Sequence, residues 1–145
     1  ERNVQLKFNP MSEMVKDKRI VLVDDSIVRG TTTPRVINML RKAGAKEVHM
    51  RITSPPIVNP CFYGVDMANK AELIANHKSI DEIEQHIGAD SLGYLSIEST
   101  IAATNNSEDS LCTACFTGNY PTNVPLQFDK MQMETETADR HGLQF

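Results

Sequence analysis

Apolar positions fall into short blocks whose spacing changes along the chain. Arg19–Val23, RIVLV, is rich in Val and Ile and suits a strand buried on both faces of a sheet. A polar stretch, Asp24–Thr33, follows it. Val36, Ile37, Met39 and Leu40 then share one face of a helix. Thr33 is placed to cap that helix, Pro34 fits its first position, and Gly44 suits a left-handed stop. Arg41 and Lys42 sit at the negative end of its dipole. Glu47–Thr53 reads as a second strand. Strand, loop, helix and strand within about 35 residues make a βαβ unit, hence an α/β fold with a parallel sheet.

Ser54–Gly64 carries three prolines and reads as a loop. Asn69–Ala75 and Ser79–Ile87 read as short helices, each opened by a capping box: Asn69 with Glu72, and Ser79 with Glu82. Ile80, Ile83 and Ile87 form the second helix's buried stripe. Leu92–Ile97 reads as another strand, followed by a helix through Ala103. Three divisions result: a mobile lead-in over 1–18, a core over 19–104, and a cysteine-bearing loop with an irregular tail over 105–145.

Composition narrows the function classes. A chain of 145 residues suits one domain. A net charge of −4 argues against broad binding to nucleic acid or an anionic membrane. No apolar run approaches the ~18 residues of a membrane span, and no signal segment opens the chain, so a cytoplasmic location is expected. The chain starts at Glu1 without an initiator Met, which is expected of a fragment. Three cysteines do not make a disulfide framework. His49, His77, His86 and His141 show no metal-ligand spacing and read as structural or exposed.

The chemistry concentrates at the end of the first strand. Asp24 and Asp25 stand at a strand's carboxyl end, where open α/β sheets bind ligands. They point in opposite directions if the strand continues through them, so that one faces the ligand and the other supports it. Ser26–Thr33 then offers backbone N–H groups, a permissive Gly30 and three threonine hydroxyls leading into a helix N-terminus. That is an anion site, and Arg29 adds charge-assisted hydrogen bonds. Acids beside a phosphate cradle make sense for a sugar phosphate: the carboxylates accept from ribose hydroxyls while the loop takes the phosphate. A pyrophosphate group would also bring Mg²⁺, which the carboxylates favour. There is no Walker A lysine and no GxGxxG.

The run VLVDDSIVRGTTT resembles the phosphoribosyl-pyrophosphate (PRPP) fingerprint of type I phosphoribosyltransferases. As DDSIVRGTT it is most similar to the glutamine PRPP amidotransferase family. The likeness continues through LRKAGAKEVHMRITSPPIVNPCFYGVDM, ELIA, IGADSLGYLS and CFTGNYP. It implies a type I phosphoribosyltransferase fold, incomplete and corresponding to the C-terminal portion of that domain. It implies that Asp24 and Asp25 contact the ribose hydroxyls near Mg²⁺, and that Ser26, Arg29, Gly30, Thr31 and Thr32 hold the 5′-phosphate. Lys7, in VQLKFNP, resembles the catalytic lysine of a loop that closes over PRPP, whereas Gln5 stands where relatives often carry a basic residue. The implied reaction is displacement of pyrophosphate from C1 of PRPP by glutamine-derived ammonia, the first step of purine synthesis. Purine nucleotides are the implied feedback inhibitors, and a homo-oligomer is the implied assembly.

Cys112 and Cys115 form a C-x-x-C in a polar loop, compatible with redox chemistry, zinc or an iron–sulfur centre. The resemblance implies that Cys61, Cys112 and Cys115 match three ligands of a [4Fe–4S] cluster, with the fourth outside this chain. No segment matches the family's glutaminase domain, so the chain alone is expected to lack glutamine-dependent activity. Two alternatives stand beside this reading. One is a phosphoribosyltransferase for a free base, or a PRPP-binding regulatory homologue. The other is a phosphoacceptor receiver domain with Asp66 as acceptor, disfavoured because a receiver needs neither RGTTT nor the cysteines.

Overall fold

The computed structural model describes residues 12–65 and 69–124. Three strands, β1 (Arg19–Asp24), β2 (Glu47–Ile52) and β3 (Ser91–Tyr94), form a parallel sheet in the order β1-β2-β3. Leu22 lies beside Met50 and Met50 beside Leu92, which sets Ile20 and Leu22 of β1, Val48, Met50 and Ile52 of β2, and Leu92 and Tyr94 of β3 on one face. A four-residue helix, α1 (Ser12–Val15), precedes the sheet. The crossover helices α2 (Thr33–Lys42) and α3 (Ile80–Ile87) pack on the sheet and on each other. Ile37 and Leu40 of α2, Ile83 and Ile87 of α3, and Val48, Met50 and Ile52 of β2 form the main core with Ile27. Burial of such side chains contributes about 1.5–3 kcal/mol apiece.

The βαβ unit and α3 follow the sequence reading closely. Ser79 Oγ accepts from the Glu82 amide at 3.3 Å, and the Glu82 carboxylate accepts from the Ser79 amide at 2.7 Å, completing the expected capping box. Gly44 takes a left-handed φ of +96° just beyond α2, as expected. The third strand stops at Tyr94, short of Ile97. Ser96 accepts from the Ser99 amide at 3.1 Å and starts α4 (Ile97–Thr104) there instead.

Four expectations need correction. β1 is not buried on both faces: Val21 and Val23 are 62% and 61% exposed. Both crossover helices contribute to a core on the Ile20 and Leu22 side, and Val21 and Val23 are not part of that core. Asn69 makes no side-chain cap, because residues 69–77 form two 3₁₀ turns, Lys70–Glu72 and Ile74–Asn76, broken by an extended Leu73. Ile80 is 45% exposed, so the buried stripe of α3 is Ile83 and Ile87 alone. The cap of α2 falls at Thr32, which is already helical in backbone and whose hydroxyl accepts no capping hydrogen bond, while Thr33 is buried.

A smaller core joins Ile57 and Leu73 to Val28, Cys115 and Phe116. It ties the proline-rich loop and α5 (Ala114–Thr117) to the loop after β1. Tyr94, at the carboxyl end of β3, has a buried hydroxyl without a partner among the described residues. Burial pushes its pKa up to about 12.

Candidate functional site

β1 delivers its last residue, Asp24, to the rim of a cavity of about 280 Å³ whose wall is otherwise residues 26–33. The strand holds Asp24 in place through its carbonyl, which accepts from the Thr53 amide at 3.0 Å. Asp25, also exposed, is not part of the cavity lining. Its carboxylate accepts from Ser26 Oγ at 2.9 Å, and its amide donates to Asp24 Oδ1 at 3.0 Å. One acid therefore faces the cavity and the other braces the turn.

The loop is fixed from beneath by apolar anchors. Ile27 is 2% exposed within the main core, and Val28 packs on Ile57 and Leu73. The Val28 carbonyl accepts from the Ile74 amide at 2.9 Å. Gly30 has φ +66°, and its carbonyl accepts from His86 Nε2 at 3.1 Å. A Cβ there would lie 2.5 Å from Ile74 Cδ1 and 3.3 Å from His86 Cδ2, so glycine is required by conformation and by space.

These anchors leave the polar groups of the loop uncommitted. The backbone N–H groups of residues 27–32 donate to no described group. The hydroxyls of Thr31 and Thr32 likewise have no partner among the described residues. With α2 opening at Thr33, unpaired amides, hydroxyls and the positive end of a helix dipole converge on one cavity. Such a site attracts a multiply charged oxyanion. Arg29 also lines the cavity, and its Nε donates to Glu72 Oε2 at 2.6 Å, the two side chains being 52% and 46% exposed.

The structure thus brings Asp24, Ser26, Arg29, Gly30, Thr31 and Thr32 around one space. Asp25 stands one layer back, and Lys7 lies outside the described residues, as do Gln5 and Asp66. Sequence reasoning missed Glu72, Ile74 and His86, which support the loop from 43 or more positions away. Glu72 was visible only as a capping partner for Asn69, a local signal that concealed its tertiary one.

The cysteines occupy a second neighbourhood. Cys61 and Cys115 are half-buried, Cys112 is exposed, and all three are free. The Cys115 carbonyl accepts from the Val58 and Asn59 amides at 3.0 and 2.9 Å, joining α5 to the proline-rich loop. Burial, first, and then the neighbouring Cys61 and Cys112 raise the pKa of the Cys115 thiol. Among the described residues no three His, Cys, Asp or Glu side chains gather closely enough to hold a metal ion. The thiols share a region without forming a ligand set. No described helix is long and apolar enough to cross a membrane.

Comparison with known proteins bears on the site. The phosphoribosyl transferase domain family matches residues 2–54. Amidophosphoribosyltransferase of Methanocaldococcus jannaschii is 55% identical over 127 residues, which are 88% of this chain and 26% of that protein. The Synechococcus elongatus amidophosphoribosyltransferase is 47% identical over 140 residues, 95% of this chain and 28% of that protein. Among solved structures, glutamine PRPP amidotransferase from B. subtilis, complexed with ADP and GMP, superposes with a TM-score of 0.75 at 45% identity. That match covers 88% of this chain and 30% of the other. The chain spans little more than a quarter of the length of these curated relatives.

Proposed function

We propose that this chain, a homologue of the amidophosphoribosyltransferases over most of its length and built on their type I phosphoribosyltransferase fold, is the PRPP-binding part of such an enzyme. One observation carries the reading: a cavity at the carboxyl end of β1 joins a carboxylate to a run of unpaired loop amides and hydroxyls. Only a ligand with both hydroxyls and a phosphate uses the two halves together.

In this reading the amides and hydroxyls of Gly30, Thr31 and Thr32, with Ser26 and Arg29, hold the 5′-phosphate. Asp24 accepts from a ribose hydroxyl, and Asp25 holds the turn and adds negative charge behind it. Exposed carboxylate oxygens at this strand end suit Mg²⁺, which would be held by Asp24 and Asp25 and would neutralise pyrophosphate charge. Ammonia attacks C1 of the ribose as the C1–O bond to pyrophosphate breaks, and the nitrogen then loses a proton. The chain's contribution is to fix the sugar and phosphate so that C1 is presented in one orientation. Lys7 would close over the leaving pyrophosphate.

Glutamine-derived ammonia, purine-nucleotide feedback, assembly as a homo-oligomer and a cytoplasmic location belong to the same proposal. The ADP and GMP in the solved relative support the nucleotides, since a nucleotide 5′-phosphate offers the same dianion to the loop. The division into lead-in, core and cysteine-bearing tail is likewise proposed. An iron–sulfur centre on Cys61, Cys112 and Cys115 rests on the sequence likeness alone.

Titration calorimetry of the 145-residue chain with PRPP and Mg²⁺ tests the reading. One saturable site is expected, with Asp24→Asn weakening it about tenfold or more because a charged acceptor is lost. No uptake of PRPP by the unaltered chain, or equal binding by the variant, would overturn the assignment.

A further inference from the structure

Arg29 faces two ways. It lines the cavity, yet its Nε–H is taken by Glu72, which does not line it. A guanidinium carries five N–H donors in a rigid plane, so one carboxylate on the Nε edge leaves the terminal Nη groups available to an anion. Glu72 ends the 3₁₀ turn Lys70–Glu72, and the next residues clamp the loop from the same side. Leu73 packs in the smaller core, the Ile74 amide donates to the Val28 carbonyl, and Ile74 Cδ1 fills the space beside Gly30. The acid is therefore mounted on the element that already fixes the loop backbone.

We propose that Glu72 is a positioning residue for phosphate recognition: it orients the Arg29 guanidinium toward the cavity and thereby preorganises the loop for the ligand's 5′-phosphate. This rests on the phosphate-loop reading above and deepens it. The physical case is entropic. A half-exposed arginine samples many rotamers, and an ion pair that holds it at one edge removes part of that freedom before the ligand arrives. The opposite role is also definite: an acid beside the cavity that competes with phosphate for one positive charge. The two roles predict opposite signs.

Glu72→Gln and Glu72→Ala separate them, measured by calorimetry with ribose 5-phosphate and with PRPP plus Mg²⁺, alongside thermal melts. The glutamine amide oxygen can still accept from Arg29 Nε–H, whereas alanine cannot. If Glu72 positions Arg29, Glu72→Ala weakens both ligands roughly three- to tenfold and Glu72→Gln recovers most of the loss, with melting temperatures unchanged. Arg29→Ala should bind weakly whether or not Glu72 is present, so the Glu72→Ala effect should vanish in the double variant. Tighter binding by either Glu72 variant would establish competition and overturn the proposal. Equal affinities across the series would overturn it as well. Failure of the unaltered chain to bind either ligand would remove the phosphate-loop reading itself, a result distinct from both.

Discussion

Replacing Gly30 by alanine tests how tightly the loop after β1 is built. Two costs act together. The residue sits at φ +66°, where an L side chain costs about 1–2 kcal/mol. The new methyl would also lie 2.5 Å from Ile74 Cδ1 and 3.3 Å from His86 Cδ2, so both side chains must move. Ile74 is 6% exposed and belongs to the core, and overpacking of that kind costs about 1–3 kcal/mol. A total of about 2–5 kcal/mol is expected, read as a fall in melting temperature of about 6–15 °C for a chain of this size. The clash has one principal partner, so it can be relieved. Ile74→Val deletes the offending Cδ1 and by itself costs about 0.5–1.5 kcal/mol. In the double variant the two losses should sum to less than their separate values by about 1 kcal/mol. Binding of ribose 5-phosphate, measured well below the melting transition, should also weaken in Gly30→Ala because the His86 contact to the Gly30 carbonyl shifts. A Gly30→Ala protein within about 0.5 kcal/mol of the parent, or strict additivity with Ile74→Val, would refute the packing argument.

Two further outcomes follow from groups away from the cavity. Tyr94→Phe removes a buried hydroxyl that has no partner among the described residues, so stability should hold or rise by up to about 1 kcal/mol in urea unfolding. A loss above about 1 kcal/mol would show that the hydroxyl is satisfied in solution. Asp90 holds its pKa below the usual value, chiefly because its carboxylate accepts from the Val48 amide at 2.6 Å and also from Arg41. A lowered folded-state pKa adds stability that is fully present above the unfolded value, about 3.9, and is lost as pH falls through the folded value. The melting-temperature gap between parent and Asp90→Asn should therefore stay constant from about pH 7 to about pH 5 and shrink below about pH 4. A gap that persists unchanged to about pH 2 would contradict the assignment to Asp90.

The elements that the sequence made legible are those written locally. The apolar run of β1, the stripe of α2 and the Ser79–Glu82 box each lie within a dozen residues, and each formed where expected. The loop was legible for the same reason, since its acids, glycine and threonines are contiguous. The supports of that loop were not. Glu72, Ile74 and His86 reach it only because α3 and the 3₁₀ turns fold back across the carboxyl end of the sheet, and no local spacing encodes that return. Asn69 and Glu72 match a capping box in letters, but an extended Leu73 leaves no helix long enough to use it, and Glu72 finds Arg29. The valines of β1 misled in another way. A Val- and Ile-rich run reports suitability for burial, whereas what covers each face is decided elsewhere in the chain.

Val21 and Val23 make that last point consequential. They sit on the same strand that presents Asp24, and β1 is an edge of the described sheet, paired on one side only. Any polypeptide that covers those valines binds the folded strand in preference to the unfolded one, and so raises the stability of the fold by mass action. Among the described residues that face is open, so the strand that presents Asp24 gains whatever stability a cover supplies.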